Sequence, residues 1–254
     1  MKNLTILMSW IVTLLFCSVT LAQTDRSGEA EKLQTGLKSP SRTQRINAAK
    51  IITRSGLNEP ELYQTIADLL REGYPVASSP DQVDEMAWLC KALAASGDAT
   101  HRPLLKEIAT QSSSEKLKHY ARQSNDLLDE FAERSRILNA DDSWDKELTG
   151  EENRLINMLS SDNVSLRRDA AKMLVRRVMT APKVFDSAAE ALAGMTRENS
   201  SGLLQVDTMA WLSKALAASG NPKYIELLEK VKSQTYDPKL LMHVNNSLKA
   251  LENI

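Results

Sequence analysis

Residues 84–97 read DEMAWLCKALAASG, and residues 207–220 read DTMAWLSKALAASG. Twelve of these 14 positions are identical at an offset of 123 residues, which identifies an internal duplication. Almost every residue from Met209 to Ala218 is apolar or small, and a helix that is apolar all round is buried on several sides. The repeated segment therefore predicts one central buried helix in each of two copies.

The duplication extends beyond this segment in both directions. Downstream, Lys116-Leu117 aligns with Lys239-Leu240 at the same offset. Upstream, Ala48-Ala49-Lys50 aligns with Ala170-Ala171-Lys172 at an offset of 122, so a single insertion or deletion separates the copies. The predicted divisions of the chain are unit 1 at residues 30–138, an acidic linker at 139–151 and unit 2 at 152–254.

Composition and helix-end signals favour helices throughout. The chain is 42% hydrophobic but only 5% aromatic, with nine glycines in 254 residues, which disfavours sheets. Gly97 and Gly220 predict helix ends because glycine adopts the left-handed conformation, and Asp98 and Asn221 follow as N-caps. Such short connections make consecutive helices antiparallel neighbours. The predicted helices are 30–38, 42–55, 60–72, 81–96, 101–111 and 114–137 in unit 1, and 151–160, 164–179, 183–197, 204–219, 222–233 and 238–252 in unit 2.

A loose repeat pattern lies within this framework. It consists of Leu159, Asp162, Leu166, Arg167, Ala170, Ala171 and Leu174 in unit 2, and of Leu37, Pro40, Gln44, Arg45, Ala48, Ala49 and Ile52 in unit 1. This spacing resembles a HEAT repeat, although unit 1 lacks the Asp and the apolar residue before the Arg. The resemblance implies an all-α, armadillo-like α-solenoid of antiparallel helix pairs, a family that binds other macromolecules. The pattern specifies no chemistry.

The N-terminal segment predicts export. Residues 1–22 contain one basic residue, an apolar run and a small-residue exit, so the segment has the layout of a secretory signal peptide cleaved between Ala22 and Gln23. The alternative is a membrane anchor formed by residues 4–22. We expect a bacterial protein that is periplasmic or secreted, with no membrane span after cleavage.

The sequence lacks the residue patterns of common catalytic and metal sites. His101, His119 and His243 have no partners at zinc-ligand spacing, and neither a phosphate-cradling glycine loop nor a nucleophile elbow is present. Cys90 aligns with Ser213, which favours packing over thiol chemistry. We therefore predict no catalytic residue, metal or cofactor. The 32 basic and 33 acidic residues nearly cancel, so we also expect no nucleic-acid partner.

Trp88 and Trp211 occupy the same position in the two copies. They are either ligand-stacking platforms or core anchors, and we favour the core because a buried tryptophan contributes a large apolar area. The other predicted core residues are Met86, Met209, Leu93 and Leu216.

One polar pattern suggests a partner site. Arg168, Lys172 and Arg176 are four residues apart and share a helix face, and unit 1 keeps Lys50 and Arg54 at aligned positions. Such a stripe suits an acidic partner or an anionic polymer, and a solvated face is the alternative. We predict an exported, non-enzymatic scaffold that binds another protein through a groove or concave face. A HEAT-like enzyme or accessory module and a structural envelope protein are the alternatives.

Overall fold

The computed structural model describes residues 20–142, 144–176, 181–198 and 202–253. Most of the predicted signal segment, residues 1–19, lies outside these ranges. The described residues form helices without any strand, which confirms the all-α prediction. The α-helices are α1 (Thr20–Leu37), α2 (Arg42–Ser55), α3 (Pro60–Gly73), α4 (Pro80–Ala94), α5 (Arg102–Gln111), α6 (Glu115–Asp126), α7 (Leu128–Leu138), α8 (Gly150–Ser160), α9 (Val164–Arg176), α10 (Pro182–Arg197), α11 (Leu203–Ala218), α12 (Ile225–Gln234) and α13 (Pro238–Glu252).

The chain divides into two compact units, with the boundary between Gly150 and Glu151. In unit 1, the consecutive pairs α1–α2, α3–α4 and α5–α6 pack as hairpins, and α4 also contacts α2 and α6. In unit 2, α10–α11 and α12–α13 pack as hairpins, and α11 also contacts α9 and α13. We call α2, α4 and α6 the B row of unit 1, and α9, α11 and α13 the B row of unit 2. Stacked helix pairs of this kind define the α-solenoid class.

Local signals set the helix ends. Gly97 and Gly220 have φ values of 68° and 66°, which confirms the predicted left-handed positions. A Cβ on Gly97 would also lie 2.4 Å from the Ala132 Cα, so this turn requires the absence of a side chain. The N–H groups of the first turns of α6 and α13 donate to the side chains of Ser114 and Asp237, which occupy aligned positions.

The prediction of one helix over 114–137 is wrong. The chain turns at Leu127 between α6 and α7, so that Leu128 is fully buried while Leu127 is 37% exposed. The Asn139 Nδ2 donates to the Gly56 carbonyl oxygen at 2.9 Å, which ties the end of α7 to the end of α2. Contacts with residues distant in sequence therefore stabilise the change in direction.

The repeated segments lie at the centres of their units. The predicted core residues Met86 and Leu93 are buried in α4, and Met209 and Leu216 are buried in α11. Cys90 is fully buried in α4, and burial raises the pKa of its thiol to about 12. The thiol is therefore protonated at neutral pH and packs as a small apolar group.

The two units hold their aligned scaffold arginines in different ways. In unit 1, Arg45 donates to both carboxylate oxygens of Glu85, which is buried, and this hydrogen bonding raises the pKa of Arg45. In unit 2, Arg167 lies 3.7 Å from Asp162, while Thr208 replaces the glutamate. The Thr208 hydroxyl lies 2.8 Å from the Leu204 carbonyl oxygen, to which it donates. The arginine–glutamate pair is thus a feature of unit 1.

We expect Glu85→Ala to destabilise the chain strongly, because it leaves the partly buried Arg45 guanidinium without its carboxylate. Removal of one partner of a buried pair costs about 3 kcal/mol. The measurement is the free energy of unfolding in urea, followed by far-UV circular dichroism. The matched control is Thr208→Ala, which removes the hydroxyl shared between the carbonyl oxygens of Leu204 and Val164 and costs about 1 kcal/mol. Equal losses in the two variants would contradict a special role for the pair.

Candidate functional site

Each B row presents a face built around the repeated tryptophan. In unit 1, the Lys50 Nζ from α2 lies 5.0 Å from the centroid of the Trp88 ring, and the Lys91 Nζ from α4 lies 4.6 Å from it. The Lys91 Nζ also lies 4.5 Å from the ring centroid of Tyr120 on α6. Trp88 packs against the core but remains partly exposed. The ring is therefore flanked by two ammonium groups from two helices.

Unit 2 repeats this arrangement with the same residue types. The Lys172 Nζ from α9 lies 5.4 Å from the Trp211 ring centroid, and the Lys214 Nζ from α11 lies 4.4 Å from it. On α13, His243 stands at the position aligned with Tyr120. We call Lys50–Trp88–Lys91 the bracket of unit 1 and Lys172–Trp211–Lys214 the bracket of unit 2.

An aspartate lies one helical turn before each tryptophan. The Asp84 Oδ1 is 3.6 Å from the Lys116 Nζ, and the Asp207 Oδ1 is 2.9 Å from the Lys239 Nζ. Lys239 is the main cause of the lowered pKa of Asp207, since it donates a hydrogen bond to the carboxylate. These ion pairs join α4 to α6 and α11 to α13, and they hold the two sides of each face together.

The residues of the predicted basic stripe have three different surroundings in the structure. Lys50 and Lys172 belong to the brackets, and Arg54 and Arg176 are exposed in the last turns of α2 and α9. Arg168 differs, because its Nη1 lies 3.7 Å from the Asp207 Oδ2 and it therefore helps to hold unit 2 together.

The tryptophans also differ from the core prediction. Both tryptophans are partly exposed, and each ring lies beneath lysine side chains, while Trp88 also packs against the core of unit 1. Sequence reasoning missed Lys91 and Lys214, although a signal for them was present. Both lysines are identical in the two copies and lie three residues after the tryptophan, which places them on the same helix face.

His243 makes the unit 2 face electrostatically distinct. Its pKa is lowered from the ordinary value of 6.5, first by burial and then by the charges of Lys214 and Lys239, while Asp207 acts in the opposite direction. Since the folded pKa lies below the unfolded one, protonation of His243 opposes folding. Its contribution to stability is complete above pH 6.5 and declines as the pH falls below that value.

The described residues contain neither a helix suited to a membrane nor a cluster suited to a metal ion. No helix there combines the length and apolar character that a bilayer crossing needs. The same part of the chain brings together no group of three or more His, Cys, Asp or Glu side chains suited to a metal ion.

Solved structures that are similar to this chain include proteins of the helical-repeat class. Neither a protein-family model nor a curated protein sequence matches the chain. Among solved structures, human deoxyhypusine hydroxylase in complex with glycerol is 11% identical, over 92% of this chain and 89% of its own, with a TM-score of 0.34. A designed armadillo repeat protein in complex with the peptide (KR)4 is 16% identical, over 87% of this chain and 98% of its own, with a TM-score of 0.22.

We expect Lys214→Gln to raise the pKa of His243 toward its ordinary value, because the substitution removes a repelling charge. The measurement is an NMR titration of the imidazole signals. The matched control is Lys91→Gln at the aligned position of unit 1, which leaves the His243 titration unchanged. A His243 pKa that does not respond to Lys214→Gln would show that the charge of Lys214 does not contribute to the lowered value.

Proposed function

We propose that this chain is an exported, non-enzymatic scaffold that binds another protein through the bracket faces of its B rows. The partner would supply a carboxylate-rich segment. One observation carries the proposal. Within the described part of the chain, none of the four bracket lysines has a carboxylate within ion-pair distance. Their ammonium groups lie over aromatic rings instead.

The energetics favour an anion at each bracket. Two ammonium groups within about 5 Å of one ring centroid are closer together than the Debye length of about 10 Å, so they repel each other at moderate salt. Each cation–π contact at such a partly exposed site returns only about 0.5–1 kcal/mol. A carboxylate about 4 Å from each ammonium would add about 1 kcal/mol per contact, even at the dielectric constant of water, and would relieve the repulsion.

Protein carboxylates fit the faces better than nucleic-acid phosphates do. The formal net charge of −1 gives the chain no long-range attraction for a polyanion. A local pair of lysines on a nearly neutral chain suits a short acidic segment.

Export is supported by the N-terminal sequence. Residues 1–22 have the charge, apolar run and small-residue exit of a signal peptide, and an exported protein would meet its partner in the periplasm or outside the cell. Cys90 is the one cysteine after Ala22, so a cleaved chain would depend on packing rather than on an internal disulfide.

The binding proposal is tested by affinity capture with immobilised chain, followed by mass spectrometry. We expect wild type to retain one specific acidic protein. A variant with Gln at Lys50, Lys91, Lys172 and Lys214 should lose on the order of tenfold in affinity, which is ~1.4 kcal/mol. The matched control places Gln at four exposed lysines on helices outside the B rows: Lys32, Lys106, Lys183 and Lys230. Equal loss of affinity in both variants would contradict the proposal. Failure of wild type to retain a specific protein, or retention that salt does not weaken, would also contradict it.

We expect the protein recovered from its native host to begin at Gln23, because a signal peptidase requires small residues before the cut. Intact-mass spectrometry of the exported fraction measures this. Ala22→Arg should block cleavage and leave the uncut chain with the membrane fraction. Recovery of wild type as an uncut membrane-bound chain would support the anchor at residues 4–22 instead.

A further inference from the structure

We infer that each unit carries its own complete carboxylate-binding site, so that one chain binds two acidic segments of the same chemistry. This inference rests on the proposed function and deepens it, because it specifies the number of sites and the motif that each site recognises. The recognised motif is a pair of carboxylates at alternate positions of an extended peptide, Glu-x-Glu or Asp-x-Glu.

The two brackets share the same residue types and nearly the same distances. The lysine from the first B-row helix lies 5.0 Å from the ring centroid in unit 1 and 5.4 Å from it in unit 2. The lysine from the middle helix lies 4.6 Å and 4.4 Å from the respective centroids. Every member of a bracket comes from the same unit, so neither site needs the other unit for completion.

The bracket lysines are available to a ligand. The aspartate on each face already pairs with a different lysine, Lys116 in unit 1 and Lys239 in unit 2. That pairing occupies the carboxylate one turn before the tryptophan, so the bracket lysines have no carboxylate within ion-pair distance, although Lys172 still interacts with Asp207 at longer range. A carboxylate that approaches the face therefore meets the two ammonium groups at one end and a neutralised ion pair at the other.

An exposed arginine sets the spacing of the motif. Arg54 follows Lys50 by one turn of α2, and Arg176 follows Lys172 by one turn of α9. Residues four apart on a helix are displaced by about 6 Å along its axis. Alternate side chains of an extended strand are about 6.6–7 Å apart, so one carboxylate can reach the bracket while the next reaches the arginine.

The experiment uses the full chain and the peptide acetyl-Glu-Gly-Glu-amide, with acetyl-Gln-Gly-Gln-amide as the uncharged control. The indole N–H signals of Trp88 and Trp211 report separately on the two sites in NMR titrations, once Trp88→Phe and Trp211→Phe have assigned them. We expect both signals to move along saturable curves with dissociation constants within about threefold of each other. The glutamine peptide should move neither signal.

Paired substitutions test whether the sites are separate. The double variant Lys50→Gln/Lys91→Gln should abolish the response of Trp88 and leave the dissociation constant at Trp211 within about twofold of wild type. Lys172→Gln/Lys214→Gln should do the reverse. The indole signal of the substituted unit, compared with wild type before peptide is added, shows whether that unit remains folded, so a local loss of folding is distinguished from a loss of charge.

Three results would overturn the inference. If one double variant silences both indoles, or only one indole ever responds, the chain has a single site, and the proposed function survives while the inference fails. If neither indole responds to the glutamate peptide, the carboxylate chemistry itself is wrong. If short oligothymidylate moves both indoles at lower concentration than the peptide does, the sites are built for phosphate.

Discussion

Each unit depends on one helix that is packed from three sides. Helix α4 contacts α2, α3 and α6, and α11 contacts α9, α10 and α13. An amphipathic surface helix would leave a wide polar face open, but three neighbours leave only a narrow stripe. In unit 1 that stripe consists of Asp84, Trp88 and Lys91, at positions i, i+4 and i+7. Burial of the central helix therefore decides which of its residues a partner can reach.

The parts of the fold that could be predicted from sequence are those set by near neighbours in the chain. Gly97 and Gly220 end helices because of their own backbone freedom, and predicted bounds such as 42–55 agree with α2. The break at Leu127 was missed because apolar spacing continues through it. Its cause lies in contacts with distant segments, such as the hydrogen bond from Asn139 to Gly56, which no local pattern reveals.

The candidate site could be predicted only in pieces. Lys50 was recognised as part of a basic stripe and Trp88 as a core anchor, but their contact depends on how α2 is rotated against α4. The lysine on the same helix as the tryptophan was within reach of sequence reasoning. Lys91 and Lys214 are identical residues at aligned positions of the two copies. Each lies three residues after the tryptophan and therefore on the same side of the helix.

The differences between the units indicate which features the duplication has kept. The scaffold arginine is held by Glu85 in unit 1, whereas in unit 2 it lies near the exposed Asp162 and its buried Nε has no hydrogen-bond partner among the described residues. The bracket is different in kind. A single apolar side chain would cover a half-buried tryptophan without bringing two positive charges together, so two lysines are an unfavourable way to shield a ring. Both copies nevertheless keep them at nearly the same distances, although the pairing of the scaffold arginine differs between the units. The anionic ligand that we propose at each face would account for that pattern, because it would offset the repulsion between the two lysines.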